Sequence, residues 1–138
     1  EMSGHIFFND KFYGFDDGIY ASLRVIEILS RSSSSLSQLV SEIPKYWSTP
    51  EIRLDCDDNK KFEIVDNIKK FYVEKYDCNL IDGVRIEFDY GWGLIRVSNT
   101  QPIIVCRFEA NSEKKLNTIK QIIFEQLKKH GVIIKNEI

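Results

Sequence analysis

Pro44 and Pro50 constrain the fold of this chain more than any other pair of residues. They bound the segment Pro-Lys-Tyr-Trp-Ser-Thr-Pro. Proline lacks the backbone N–H that a helix needs and biases the residue before it towards extended geometry, so no helix can run through this segment. We therefore expect a linker here, with a domain at residues 44–138 after it and a separate segment at residues 1–43 before it.

The segment at residues 1–43 combines a strand-like end with a helical pattern. The apolar run at residues 5–8, His-Ile-Phe-Phe, indicates the end of a buried strand. Asp16 or Asp17 can then accept the free amides of a first helical turn. The apolar spacing that follows predicts a helix that ends at about Ser30.

The serine run at residues 32–35 has two interpretations. Four consecutive serines can form a flexible linker. A helical apolar pattern resumes at Leu36, however, and this favours a tight turn between two helices. Ser35 or Ser37 would cap the second helix.

The domain after the linker shows the order β-α-β-β-β-α. Apolar residues alternate with polar ones in the strand regions and recur at helical spacing in the two helices. The glycines of the segment Tyr-Gly-Trp-Gly at 90–93 predict a hairpin turn, with Trp92 covering the sheet edge. This order predicts an α+β two-layer sandwich, in which two helices cover one face of a four-stranded, mainly antiparallel sheet. The predicted strands lie at 51–56, 84–88, 94–97 and 103–108, and the predicted helices at about 60–72 and 112–130.

Composition excludes several classes of function. The formal net charge is −2, and acidic and basic residues are interspersed, so no surface for nucleic acid is expected. No apolar run is long enough to span a membrane. Three scattered cysteines argue against both a disulfide framework and a zinc site, and favour reduced cysteines in a cytoplasmic protein. The chain begins without Met, which suggests a fragment of something longer.

The segment at residues 96–102, Arg-Val-Ser-Asn-Thr-Gln-Pro, is the first candidate site. A guanidinium offers paired donors that match phosphate oxygens, and hydroxyl and amide donors lie beside it. Backbone amides of a tight turn can also converge on an anion. The simpler alternative is a polar turn whose side chains bond their own backbone. The candidate phosphate ligands are Arg96, Ser98, Asn99 and Thr100.

The N-terminal segment Glu-Met-Ser-Gly-His is the second candidate site. Glu1 and Ser3 can point to one side of an extended loop and bracket the vicinal hydroxyls of a sugar. Gly4 would let the backbone approach the ligand, and His5 would add a contact. The alternative is ordinary solvated surface.

Seven stretches, taken in order, resemble the α-D-phosphohexomutase superfamily, in particular its phosphomannomutase/phosphoglucomutase branch. The likeness covers essentially the whole chain. The matching stretches are Glu-Met-Ser-Gly-His at 1–5, Asp-Asp-Gly-Ile-Tyr-Ala at 16–21, Ser-Thr-Pro-Glu-Ile-Arg at 48–53, Ile-Asp-Gly-Val at 81–84, Gly-Trp-Gly-Leu at 91–94, Arg-Val-Ser-Asn-Thr-Gln-Pro at 96–102 and Arg-Phe-Glu-Ala at 107–110.

The resemblance implies an arrangement of domains. Residues 1–43 would be the C-terminal tail of the third domain, and residues 44–138 would be the fourth domain, whose fold is TATA-binding-protein-like. The resemblance also implies roles for the site residues. Glu1, Ser3 and His5 would recognise sugar hydroxyls. The four candidate phosphate ligands, Arg96, Ser98, Asn99 and Thr100, would hold the phosphate that is not being transferred.

The resemblance further implies a reaction that moves phosphate between O1 and O6 of a hexose through a phosphoserine and a bisphosphate intermediate. The phosphoserine and the aspartate-rich magnesium loop belong to the two N-terminal domains of such enzymes, so we expect Mg²⁺ there, no metal in this chain, and no mutase activity from this chain alone. The expected partners are a hexose phosphate and the N-terminal domains of the same enzyme, with no nucleic acid and no membrane.

Two alternatives compete with this interpretation. One is a phosphoglucosamine mutase, in which Gln usually replaces Met2 and Gly usually replaces Asn99, so the residues found here favour the mannose/glucose branch. The other is a non-enzymatic α/β binding module that uses Arg53, Arg85 and Arg96 on one sheet face. The acidic residues that alternate with these arginines weaken the positive electrostatic field of that face.

Overall fold

A computed structural model describes residues 4–134. The chain divides into two compact units, Glu1–Pro44 and Lys45–Ile138.

The first unit contains two helices, α1 (Gly18–Ser30) and α2 (Leu36–Ser41). Asp17 caps α1 by accepting a hydrogen bond from the Tyr20 amide at 2.8 Å. Ser35 caps α2 through a reciprocal pair of bonds with Gln38. The predicted end of the first helix near Ser30 and the tight serine turn are therefore confirmed, and Asp17 and Ser35 are the caps among the candidates predicted.

The predicted strand at residues 5–8 is wrong. The only pairing in this region of the described chain is an isolated bridge between Phe7 and Asp16. Ile6 and Phe7 are both exposed. An apolar run indicates burial only when a partner strand exists beside it, and residues 4–44 supply a single bridging residue.

The second unit contains one antiparallel sheet. Its strand order is β1-β6-β5-β4-β3, and β2 also pairs with β6. Two strands of two residues each, β1 and β3, were not predicted, while the four longer strands were. The strands are β1 (Trp47–Ser48), β2 (Ile52–Asp55), β3 (Cys78–Asn79), β4 (Val84–Phe88), β5 (Gly91–Val97) and β6 (Ile103–Ala110).

Pro50 explains why β1 and β2 are two strands along one edge of β6. Without an N–H at Pro50 the ladder must break there. Thr49 bridges the break, because its amide donates to the Phe108 carbonyl at 3.0 Å and its hydroxyl accepts from the Phe108 amide at 3.1 Å. The second of the two prolines thus shapes the sheet edge itself.

Helices α3 (Lys61–Val73) and α4 (Glu113–Lys129) cover the same face of this sheet, which confirms the predicted α+β sandwich. Strand β5 and helix α4 lie close together at Gly93, where a Cβ would lie 2.3 Å from the Ile123 side chain of α4. Gly131, with φ of 82°, ends α4 as predicted. No helix within residues 4–134 is long and apolar enough to cross a membrane.

The predicted hairpin turn at residues 90–93 is wrong in its extent. Strand β5 already begins at Gly91, and neither Gly91 nor Gly93 has a positive φ. These glycines serve close packing instead: a Cβ at Gly91 would lie 2.1 Å from the Glu109 carbonyl oxygen of β6. Trp92 consequently lies on a central strand rather than at the sheet edge.

The cysteines of the described chain are all free. Burial raises the pKa of the thiol at Cys56, Cys78 and Cys106, and Cys106 is fully buried. Each thiol therefore stays protonated at neutral pH, as expected of cysteines that serve packing rather than chemistry.

Candidate functional site

The segment at residues 96–102 connects the ends of β5 and β6, two neighbouring strands in the middle of the sheet. The Ser98 hydroxyl oxygen accepts hydrogen bonds from the amides of Thr100 and Gln101, at 3.4 and 3.1 Å. The simpler alternative of a self-bonded polar turn is thus part of this structure. It still leaves the Ser98 hydroxyl proton able to donate to a ligand.

Arg96 lies at the start of this loop and contacts two carboxylates. Its Nη1 lies 3.2 Å from Asp82 Oδ2, and its Nη2 lies 3.6 Å from Glu51 Oε2. The side chain remains 41% exposed. The two acidic residues therefore fix the guanidinium in place while leaving it accessible to an anion.

Gly83 makes the Asp82 contact possible. Its φ is 70°, a conformation that favours glycine, and a Cβ here would lie 2.1 Å from the Ile95 carbonyl oxygen. Only glycine lets the turn before β4 lie this close to β5. This close approach places Asp82 beside Arg96.

A cleft of about 330 Å³ lies beside the loop, and the four predicted phosphate ligands all line it. Arg53 lines it as well, with its Nε 2.9 Å from Glu51 Oε1 and its Nη1 3.4 Å from Gln101 Oε1. Two guanidinium groups and several neutral donors thus share one cleft with two carboxylates, an arrangement suited to a compact anion.

Lys61 contacts the candidate loop, and the sequence did not predict this contact. In the predicted helix at about 60–72, Phe62 is the first apolar residue at helical spacing, which predicts that it is buried. Phe62 is exposed instead, and Lys61 is buried on the face that bears Val65 and Ile68. The Lys61 ammonium donates to the carbonyls of Ser98 and Gln101, at 2.6 and 2.9 Å. The available signal was a lysine four and seven residues before buried aliphatic positions of one helix.

His5 belongs to the first unit. Its Nδ1 lies 2.5 Å from Asp16 Oδ2, while the Ile6 amide donates to Asp16 Oδ1 at 3.0 Å. The His5 hydrogen bond, followed by the Ile6 amide, holds the pKa of the Asp16 carboxyl below its usual range. Asp16 therefore orients the imidazole. The predicted sugar ligands Glu1 and Ser3 lie outside the described residues.

The acidic run at residues 55–58 serves the turn before α3. Asp57 Oδ1 accepts from the Asn59 amide at 2.9 Å, and Asp58 Oδ1 lies 2.6 Å from the Lys61 ammonium. Among residues 4–134, no group of three His, Cys, Asp or Glu side chains is arranged to hold a metal ion. The family resemblance implies a magnesium ion in the N-terminal domains, and not at these residues.

Two family models match the chain. The model for the phosphoglucomutase/phosphomannomutase C-terminal domain matches residues 51–126, and the model for α/β/α domain III of the same family matches residues 1–46. The first match alone covers more than half of the chain and includes the whole cleft. The chain belongs to the phosphoglucomutase/phosphomannomutase family.

Individual relatives agree with this assignment. The chain is 47% identical to a phosphomannomutase/phosphoglucomutase of Pseudomonas putida, over 92% of this chain and 28% of that protein. It is 41% identical to a phosphoglucomutase of Neisseria meningitidis, over 87% of this chain and 26% of that protein. The chain thus spans little more than a quarter of the length of these curated relatives.

A solved structure of a phosphoglucomutase/phosphomannomutase family protein from Burkholderia thailandensis also matches. It has a TM-score of 0.76 and 40% sequence identity, and the match covers 92% of this chain and 27% of that one. The fold described above is thus also found in a member of the family.

Proposed function

We propose that this chain is the C-terminal, substrate-binding part of a phosphomannomutase/phosphoglucomutase, which interconverts hexose 1-phosphate and hexose 6-phosphate through a phosphoserine and a bisphosphate intermediate. Residues 1–43 would complete the third domain of such an enzyme, and residues 44–138 would form the fourth. The phosphoserine and the magnesium ion would be supplied by the part of the enzyme that precedes this chain, and we expect the enzyme to be cytoplasmic.

The observation that supports this proposal most is the composition of the cleft beside the 96–102 loop. The Arg96 guanidinium is held by Asp82 and Glu51, and it has five N–H groups, more than these two contacts occupy. Ser98, Asn99 and Thr100 line the same space. Donors of this kind recognise the oxygens of a phosphate monoester. They make no distinction between the carbons to which the phosphate is attached.

Such indifference is what the proposed reaction requires. The bisphosphate intermediate must present first one phosphate and then the other to the serine, so the group that stays behind is alternately the 1-phosphate and the 6-phosphate. A loop that binds phosphate rather than sugar holds both. Positioning the substrate in this way contributes to the rate by reducing the entropy lost in reaching the reacting geometry.

The proposed sugar contacts lie in the first unit. Asp16 orients the His5 imidazole, which supports a role for His5 in a hydrogen bond of fixed direction. We propose that Glu1 and Ser3 bind the sugar hydroxyls beside it.

Steady-state kinetics of the enzyme that contains this chain test the proposal. The Arg96→Ala variant is expected to lower kcat/KM for glucose 1-phosphate by at least about 100-fold, because a charge-assisted phosphate contact and the alignment it imposes are both lost. Arg85→Ala is the matched control, since Arg85 lies on the same face of the sheet with the same 41% exposure.

The control variant is expected to stay within about threefold of the wild type, in line with the small effects of exposed ion pairs. Equal kinetics for the two variants would contradict the proposal. The 138-residue chain by itself is expected to convert no glucose 1-phosphate, and measurable turnover would place catalytic groups in this chain.

A further inference from the structure

Lys61 is the least expected charged residue of the second unit. It is the first residue of α3, where the helix dipole disfavours a cation. Its side chain is only 3% exposed, and burial of an ammonium group is costly unless its donors are satisfied. A lysine at this position must therefore be stabilised by specific partners.

Those partners account for all three N–H groups of the ammonium. The Lys61 Nζ lies 2.6 Å from the Ser98 carbonyl oxygen, 2.9 Å from the Gln101 carbonyl oxygen and 2.6 Å from Asp58 Oδ1. Two of the three acceptors belong to the backbone of the candidate phosphate loop. They flank Asn99 and Thr100, two of the proposed phosphate ligands.

The contact with Ser98 also sets the direction of one amide. No peptide bond of the described chain is cis, so the carbonyl of Ser98 and the N–H of Asn99 point in opposite directions across one planar unit. Because the Ser98 carbonyl points to the buried ammonium, the Asn99 N–H points away from it. The amides of Thr100 and Gln101 donate instead to the Ser98 hydroxyl oxygen.

We propose that Lys61 is a positioning residue for phosphate binding: its ammonium pulls the Ser98 and Gln101 carbonyls inward and so presents the Asn99 amide, as a backbone donor, to the phosphate. The inference rests on the proposed function of the loop. It adds a backbone ligand to the predicted side-chain ligands and names the residue that directs it.

Titration of the 138-residue chain with inorganic phosphate tests this role. Lys61→Met keeps much of the side-chain volume but removes the three donors. It is expected to weaken phosphate binding by at least about tenfold, since hydrogen bonds to a charged group are lost at the loop. Lys60→Met is the matched control, because Lys60 precedes α3, is exposed and makes no side-chain capping bond.

The amide resonance of Asn99 provides a readout that general destabilisation does not imitate. In the wild type and in Lys60→Met, phosphate is expected to shift this resonance. In Lys61→Met the shift is expected to disappear, while core amides such as that of Ile95 keep their positions. A variant that binds phosphate like the wild type, with the Asn99 shift intact, would overturn the proposal.

A crystal structure of the wild-type chain with phosphate keeps the proposal testable if Lys61→Met does not fold. The expected result is a hydrogen bond from the Asn99 amide to a phosphate oxygen, with Lys61 still on the Ser98 carbonyl. If either the Asn99–phosphate contact or the Lys61–Ser98 contact is absent from that structure, the proposed role of Lys61 is overturned. If Arg96→Ala also binds phosphate normally, the proposed function of the loop fails; if only Lys61→Met does, the inference about Lys61 fails alone.

Discussion

Two arginines on the open face of the sheet differ in what surrounds them, although their side chains are equally exposed, at 41%. Arg85 on β4 lies over the Trp92 ring, with its Cζ 4.6 Å from the ring centroid, and its Nε lies 3.1 Å from Glu87. Arg96 on β5 borders a cleft lined by hydroxyl and amide groups and is held by two carboxylates from neighbouring turns.

The comparison shows that neighbours, rather than residue type or exposure, decide what a guanidinium can do. At the end of the sheet that bears Arg85 and Trp92, here called the tryptophan end, the Arg85 guanidinium contacts the Trp92 ring and the Glu87 carboxylate. These contacts stabilise the sheet. At the loop end, a buried ammonium, a tight glycine turn and two carboxylates hold Arg96 and the loop in a geometry suited to an anion. We test this difference by altering residues at each end and measuring stability and phosphate affinity.

Gly83→Ala is expected to have the largest effect on stability, at the loop end. The added Cβ would lie 2.1 Å from the Ile95 carbonyl oxygen in a backbone with φ of 70°, so the turn must move away from β5. We expect a loss of about 3 kcal/mol in the free energy of unfolding, measured by urea denaturation.

Gly131→Ala is the control for Gly83→Ala. Gly131 has a φ of 82°, but nothing lies within 4 Å of the position that an added Cβ would take, so only the backbone strain applies. A loss of about 1 kcal/mol is expected. Equal losses for the two variants would show that the close approach of the turn to β5 contributes nothing.

Trp92→Ala is expected to destabilise the second unit without affecting the loop end. The Trp92 ring contacts Arg85, and its Nε1 donates to Glu109 Oε1 at 3.1 Å. We expect a loss of about 2 kcal/mol in the free energy of unfolding, with phosphate affinity unchanged.

Trp47→Ala offers a matched comparison for Trp92, because Trp47 lies exposed on the two-residue edge strand β1. It should cost less stability than Trp92→Ala. A fall in phosphate affinity in Trp92→Ala that exceeds the loss of folded protein would mean that the two ends of the sheet are coupled.

Asp82→Asn is expected to have the smallest effect, in the direction of tighter binding. Asp82 competes with an anion for the Arg96 guanidinium, and its side chain is 66% exposed, so the ion pair is weak. Removing the charge should raise phosphate affinity by about two- to fivefold in a calorimetric titration. The control is Asp89→Asn, in the turn between β4 and β5, which should leave phosphate affinity unchanged. Weaker phosphate binding in Asp82→Asn would show that Asp82 acts only to hold Arg96.

The parts of the fold that local rules govern could be predicted from the sequence. Asp17, Ser35 and Gly131 mark helix ends through side-chain acceptors or a left-handed backbone. Gly131 was predicted outright, while Asp17 and Ser35 were each one of two predicted candidates. Alternating apolar residues also placed the four longer strands. Strand β5 was predicted too short because Gly91 and Gly93 suggest a turn, whereas their small size serves packing against β6 and α4.

In the candidate site, too, only the features that are local in sequence could be predicted. The loop that contains Arg96 stood out because its ligands are contiguous in sequence. The residues that hold it did not, since Glu51, Lys61 and Asp82 reach it from other elements and Lys61 meets Ser98 across 37 residues. The local spacing of Lys61 to Val65 and Ile68 indicates that Lys61 is buried. It does not indicate the partner, because contacts of that separation depend on the tertiary fold.

Mapping of amide shifts with three sugars tests whether the 96–102 loop binds phosphate irrespective of the carbon that bears it. The 138-residue chain is titrated with glucose 1-phosphate, glucose 6-phosphate and unphosphorylated glucose. We predict that both phosphates shift the same amides at residues 96–101 and that glucose shifts none of them. Shifts from only one phosphate, or from glucose alone, would contradict a loop that binds phosphate irrespective of the carbon that bears it.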